Sequence, residues 1–226
     1  MAISPASELE GYERAARTSF RLARFSVFLD LINSIPIKNR ALRILDVGGV
    51  EAYWLDKKQL ITRPVEITVI NLDSPQTSKT GFIFQRGNAC HMPEFADNSF
   101  DVVHSNSVIE HVGQWPNMMS MAKEVRRIAP SYFVQTPYFW FPVEPHARTP
   151  FLHWLPESLR FRIVMARKCG PYWSKAATVD EAMRTIQDAT LLDRRMFAEL
   201  FPDASIIPEK FLGMTKSLMA VRKQLQ

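Results

Sequence analysis

The chain has 226 residues, 46% hydrophobic and 23% charged, which leaves room for one ordinary domain and excludes a disordered or fibrous chain. Fifteen prolines stand against eight glycines, so a collagen-like or glycine-rich flexible chain is excluded as well. The 28 basic and 23 acidic residues leave a formal charge of +5. That suits an anionic ligand but falls short of the concentrated basic stripe of a dedicated nucleic-acid binder.

Cys90 and Cys169 are too few for a disulfide framework or a Cys-based zinc site, and they point to a reducing compartment. The N-terminal stretch has no apolar signal core, and Glu8, Glu10 and Glu13 do not fit a transit peptide. The uncharged run between Arg127 and Glu144 is shorter than a membrane span and is broken by Pro130, Pro137 and Pro142. The expectation is a soluble, cytoplasmic protein with no membrane span and an open oligomeric state.

Residues 7–33 read as one long helix. Ala16, Phe20, Ala23, Val27 and Leu31 recur at helical spacing as its apolar stripe. Arg14, Arg17, Arg21 and Arg24 beside it read as a solvated basic flank, with an anion-facing lid as the alternative. Strands and helices then alternate. A buried strand is expected at Ala41–Val47, a helix at Glu51–Leu60, and strands at Val65–Asn71, Phe82–Gln85 and Phe100–His104. A helix follows at Trp115–Ala129 and a strand at Ser131–Thr136. This alternation implies parallel βαβ units and a doubly wound α/β sheet. Pro137–Pro156 breaks the rhythm, with five prolines among Trp140, His146, His153 and Trp154. Helices are expected near 157–168 and 179–200. The runs Ala204–Phe211 and Met214–Val221 are placed to pair as an antiparallel end to the sheet.

The first strand runs into Asp46-Val47-Gly48-Gly49-Val50. Glycines after a buried strand let backbone approach a ligand closely and start the next helix. The dinucleotide fingerprint would need glycines where Val50 and Tyr53 stand, which argues against NAD. The second strand ends at Asn71-Leu72-Asp73, where an acidic residue can accept from ribose hydroxyls. Gly87-Asn88-Ala89-Cys90-His91-Met92-Pro93 follows, then Asp97-Asn98-Ser99-Phe100-Asp101 and Ser105-Asn106-Ser107-Val108-Ile109-Glu110-His111-Val112.

In this order and spacing, the motifs resemble the class I S-adenosylmethionine-dependent methyltransferases of type 11. The resemblance runs from about Ala41 to Thr136, and the antiparallel tail expected from the sequence extends it toward the C-terminus. It implies a Rossmann-like seven-stranded sheet with an antiparallel last strand, and S-adenosyl-L-methionine as cofactor. It implies that Asp46, Gly48 and Gly49 hold the methionine part and Asp73 the ribose hydroxyls. Asn88 and Ala89 then meet the adenine, and Ser105 and Asn106 lie beside the methionine moiety. The chain departs from the family at Val50 and Ala52, where further glycines are usual. The division that follows is a helical cap over 1–40 and a methyltransferase domain over 41–226, with 137–200 on the substrate side.

Methyl transfer is an in-line displacement, so the protein aligns the reactants and excludes water. An alcohol acceptor also needs a base near neutral pH, a histidine's task. His146 and His153 in the proline-rich segment are the first candidates and His111 the next. His104, inside an apolar strand, reads as a hydrogen-bonded core residue. A metal triad of Glu144, His146 and His153 lacks a supporting carboxylate cluster, so no metal is expected. The expected function is methyl transfer to a small-molecule or glycan acceptor, at a hydroxyl. The alternative is a catalytically silent, methyltransferase-like subunit that binds the cofactor or a partner. A nucleic-acid substrate is disfavoured: Arg160, Arg162, Arg167 and Lys168 read as a solvated face, and no Asn-Pro-Pro-Tyr-type motif is present.

Overall fold

A computed structural model describes residues 19–37, 39–55, 57–73, 77–79 and 81–224. The apolar runs rich in Ile and Val form the centre of the sheet because they can be buried on both faces. β1 (Leu42–Val47) lies between β2 (Val65–Asn71) and β5 (Val102–Asn106), parallel to both. β3 (Thr77–Lys79) and β4 (Phe82–Arg86) extend one side, with β4 parallel to β2. β6 (Ser131–Pro137) pairs parallel with β5 on the other. β8 (Met214–Arg222) then runs antiparallel to β6, and β7 (Ser205–Phe211) closes that edge. The order is β3-β4-β2-β1-β5-β6-β8-β7.

Seven of these strands are those expected from the sequence, and the last in the chain is antiparallel as expected. The eighth, β3, is an addition. Its Thr-Ser-Lys sequence has no apolar pattern, and it is held only as the outer arm of a hairpin with β4.

Side chains alternate across β1. Leu45 and Val47 face a core shared with α3 (Trp115–Ile128) and α6 (Arg194–Leu200). Leu42 and Ile44 face a second core, with α1 (Ser19–Asn33) and α2 (Glu51–Leu55). Asp46 belongs by parity to this second face. A third cluster joins α4 (Glu157–Ala166) and α5 (Val179–Gln187) through Leu152, Val164, Ala182 and Ile186.

Three helix expectations change. Of the helix expected over 7–33, the part before residue 19 lies outside the described residues. The face that α1 buries is Phe25, Phe28, Leu31 and Ile32; Ala23 is exposed and Val27 half-buried. The aromatic rings win that face because they fill the space against Trp54 and Phe133. The helix expected over Glu51–Leu60 is α2 and a separate 3₁₀ turn at Lys58–Leu60. The one expected over 179–200 is two helices, each started by a side-chain cap. Thr178 accepts from the Glu181 N–H at 3.1 Å, and Asp193 from the Met196 N–H at 2.8 Å. The break lets the intervening chain reach the sheet edge. There Thr190 N donates to Glu110 O at 2.7 Å and Phe139 N to Leu192 O at 3.0 Å.

Candidate functional site

The parallel strands point their carboxyl ends the same way, and an open α/β sheet binds ligands at that edge. At the end of β1 the chain turns at Gly48, where φ is +74°. A Cβ there would lie 2.5 Å from a methyl of Val108, and one at Gly49 would lie 1.6 Å from Asp46 Oδ2. Both glycines are thus demanded by the protein's own packing. Gly48 N donates to Ile70 O at 2.7 Å, and the Asn71 amide reaches the Gly48 and Gly49 carbonyls at 3.4 and 3.3 Å.

Asp46 organises what lies beneath this loop. It is 1% exposed, and both its oxygens are engaged. Oδ2 accepts from Trp54 Nε1 at 2.6 Å, and Oδ1 lies 2.7 Å from His104 Nδ1. His104 Nε2 meets the Tyr53 hydroxyl at 3.1 Å, and the ring stacks on Phe133. His104 is therefore hydrogen-bonded within the core, as its place in an apolar strand implies. Burial first, and then the charge of Asp46, push the Tyr53 phenol well above its ordinary value.

Above these groups opens a cavity of about 260 Å³, bordered by Arg21, Arg24, Gly48, Gly49, Tyr53 and Asn106. Small-molecule sites usually span about 300–1,000 Å³, so this cavity suits one part of a larger ligand, with the rest lying along the open edge. Arg24 donates to Asn106 Oδ1 at 3.3 Å and pairs with Glu209 at 3.1 Å. The reading of the arginines as a solvated flank is corrected here: Arg21 and Arg24 border the cavity. Arg14 and Arg17 lie outside the described residues.

The expected cofactor residues separate into three groups. Asp46, Gly48, Gly49 and Asn106 border this cavity. Asp73, exposed just past β2, and Asn88 and Ala89, past β4, stand further along the same edge. Asn88 closes a turn by accepting from Cys90 N at 2.9 Å. The loop after it is locked by Arg127, which donates to Phe95 O at 2.7 Å and Met92 O at 3.0 Å. Ser105 is turned away: it is fully buried and its hydroxyl donates to Val47 O at 3.1 Å, tying β5 to β1.

At the ends of β5 and β6 the expected histidines meet a group that sequence reasoning left out. Glu110 lies in the 3₁₀ turn Ile109–His111 and is 0% exposed. One of its oxygens accepts from the Thr136 hydroxyl at 3.0 Å, and the other, Oε1, has no hydrogen-bond partner. Burial pushes its carboxyl above the usual range. His111 and His146 meet edge to face, with ring centres 4.8 Å apart. His111 Nδ1 lies 3.1 Å from Asp188 O, and His146 Nδ1 lies 2.8 Å from Glu144 Oε1. Each Nδ1–H is thus given an acceptor, which leaves Nε2 as the bare nitrogen. Burial opposes the charge on His146, but Glu144, with Glu110 and Asp188 beyond it, outweighs that and holds its pKa above the ordinary value. Glu144 also accepts from Ala147 N.

His153 is turned inward. Its Nε2 donates to Phe139 O at 2.7 Å, its Nδ1 is buried without a partner, and burial lowers its pKa. The void between His146, His153 and Ile186 is about 20 Å³, room for a water molecule but not for an acceptor. Glu144, His146 and His153 do not converge as a triad. The fold assembles Glu110, His111 and His146 instead.

Residues 46–131 match the family model of the methyltransferase domain. No curated protein matches the chain. Among solved structures, the complex between the Haloferax volcanii Trm112 methyltransferase activator and a putative methyltransferase gives 14% identity, 87% coverage of both chains and a TM-score of 0.51. Phosphoethanolamine N-methyltransferase 2 of Haemonchus contortus with S-adenosyl-L-methionine gives 12% identity and a TM-score of 0.52. That match covers 87% of this chain but only 52% of the other, so the chain spans about half of that enzyme's length. An O-methyltransferase family protein of Burkholderia thailandensis gives 14% identity, 100% and 65% coverage, and a TM-score of 0.51. At these identities the solved structures speak for the fold alone. No described helix is long and apolar enough to cross a membrane. The chain therefore has the class I methyltransferase fold, and its residues 46–131 match a methyltransferase domain, a match that points to S-adenosylmethionine as the cofactor.

Proposed function

We propose that the chain moves a methyl group from S-adenosylmethionine to a hydroxyl oxygen of a small molecule or glycan. The observation that carries this reading is the pair His111 and His146, each with its Nδ1 engaged, on the same carboxyl edge of the sheet as the glycine loop. The cofactor, when bound, supplies an electrophilic methyl group on a sulfonium sulfur. Gly48, Gly49 and Asn106 take its methionine part, and Arg21 and Arg24 face the carboxylate. Asp73 accepts from the ribose hydroxyls, and Asn88 and Ala89 meet the adenine. Asp46 keeps the loop in shape from below, and Ser105 holds β5 against β1. The Tyr53 ring forms a wall that excludes water.

The acceptor lies on the outer side of His146, since the inner void is too small for it. His146 Nε2 takes the acceptor's proton, and Glu144 stabilises the imidazolium at Nδ1. His111 is the next candidate base. His153 comes last, because its Nε2 already holds the Phe139 carbonyl.

Calorimetry with S-adenosylmethionine and S-adenosylhomocysteine tests the first half. Binding of either supports it. Binding of neither overturns it and leaves a methyltransferase-like partner protein. Radiolabelled methyl transfer to a panel of phenols, aliphatic alcohols, sugars, amines and carbon acids tests the second half, and transfer confined to nitrogen or carbon overturns the oxygen assignment.

A further inference from the structure

We propose that Glu110, His111 and His146 form a binding site for one divalent first-row transition-metal ion. One donor atom from each residue lies within 4.8 Å of the other two. Donors that share a tetrahedral ion at about 2.1 Å lie about 3.4 Å apart. Side-chain movements that shorten the longest separation by up to about 1.4 Å therefore close the set.

Two further features prepare these residues as ligands. The first is the tautomer. Metal-bound histidines usually donate their second ring N–H to a carboxylate or carbonyl, which aims the bare nitrogen at the ion. His146 makes that contact to Glu144 at 2.8 Å and His111 to Asp188 O at 3.1 Å, so Nε2 of both rings is open. The second feature is Glu110 Oε1, fully buried and without a hydrogen-bond partner. A buried acceptor left empty costs stability unless something occupies it, and a cation held by two imidazoles is a fitting occupant. Thr136 holds the other oxygen and so fixes the carboxylate's plane.

Two nitrogens and one carboxylate oxygen suit zinc, iron, cobalt, nickel or manganese better than magnesium or calcium, which favour all-oxygen sets. The side chains of His111 and His146 remain 33% and 20% exposed, which gives an ion and an oxygen ligand a way in. The proposed acceptor side is the outer face of this cluster; only that placement rests on the methyltransferase reading. An ion there lowers the pKa of a bound hydroxyl. A nitrogen that holds the ion cannot also take a proton, so in the loaded site the metal would lower the hydroxyl's pKa in place of His146, and the proton would leave to solvent water.

The test uses the full chain, stripped with a chelator and titrated with Co²⁺ and Zn²⁺ by calorimetry, with Co²⁺ also followed by its visible absorption. The expected result is one site per chain. His111→Ala and Glu110→Gln should each weaken binding by more than tenfold. Glu144→Gln, which changes only the residue positioning His146, should weaken it about 10–100-fold. His91→Ala, outside the cluster, should not change it. Absence of stoichiometric Co²⁺ binding by wild-type protein overturns the proposal, and so does wild-type affinity in folded His111→Ala protein. Stripped protein that binds S-adenosylhomocysteine and transfers methyl groups at full rate, without taking up Co²⁺, overturns the ion site and leaves the methyltransferase reading intact. Stoichiometric Co²⁺ uptake by protein that binds no cofactor supports the ion site and overturns that reading.

Discussion

Two parts of the sheet's carboxyl edge, at β1 and at β5–β6, treat their buried polar groups differently. Under the glycine loop, Asp46 has both oxygens engaged, by Trp54 and His104, and His104 passes the chain of contacts on to Tyr53. Beside β6, Glu110 Oε1, His153 Nδ1 and Arg160 Nε are buried without partners. A satisfied network rigidifies the part of the edge it supports. An unsatisfied one stores a cost that a ligand, ion or water can relieve. The first region is therefore a network satisfied within the protein itself. The second is a set of groups with contacts still to make.

The largest effect that would sharpen this contrast is catalytic. His146→Ala should reduce methyl transfer to the true acceptor by about 10²–10⁴-fold, with S-adenosylhomocysteine affinity nearly unchanged. His111→Ala and His153→Ala belong in the same experiment. Wild-type turnover in all three would remove the acid–base role from this part of the edge.

Next comes the scaffold. Asp46→Ala leaves two buried donors without their acceptor, at about 1–3 kcal/mol each. The denaturant midpoint should fall, and cofactor binding should weaken with it. Gly48→Val sharpens the point, because the new side chain meets both Val108 and an unfavourable positive φ. It should abolish cofactor binding while helix content by circular dichroism stays near wild type. Normal binding by that variant would show that the loop does not touch the ligand.

A smaller effect is expected at the exposed rim, where Asp73→Ala should weaken cofactor binding by about 1–3 kcal/mol with no change in stability. The smallest effect lies outside both regions, at the amino ends of β1 and β5. Asp101 accepts two bonds of 2.6 Å from Arg40 and one of 2.8 Å from Arg43 N. Burial works against its charge, but these donors outweigh it and hold the carboxyl below its ordinary range. A depressed carboxylate stabilises the fold above its unfolded pKa, and that contribution is lost as pH falls through the folded value. Asp101→Asn should therefore lower stability at neutral pH and flatten the acid limb of the stability profile. An unchanged acid limb would show that this ion pair contributes nothing there.

Much of this was legible in the chain itself. The buried strands, the methionine-rich face of α3, the antiparallel tail and the glycine turn all follow from periodicity and turn chemistry within short windows. So did the reading of His104 as a core residue. Where the sequence misled, a distant partner decided the outcome. Phe25 and Phe28 turned α1 because Trp54 and Phe133 were there to receive them. The Thr-Ser-Lys stretch became a strand because β4 had a free edge. Glu110 beside His111 reads as an ordinary turn until the crossing of β6 brings Thr136 under it and the proline-rich segment brings His146 over it. Local pattern therefore determined which segments are strands or helices and which end of the sheet carries the candidate site. Tertiary structure alone decided which polar atoms are satisfied and which are left open, because their partners come from strands and loops far apart in the sequence.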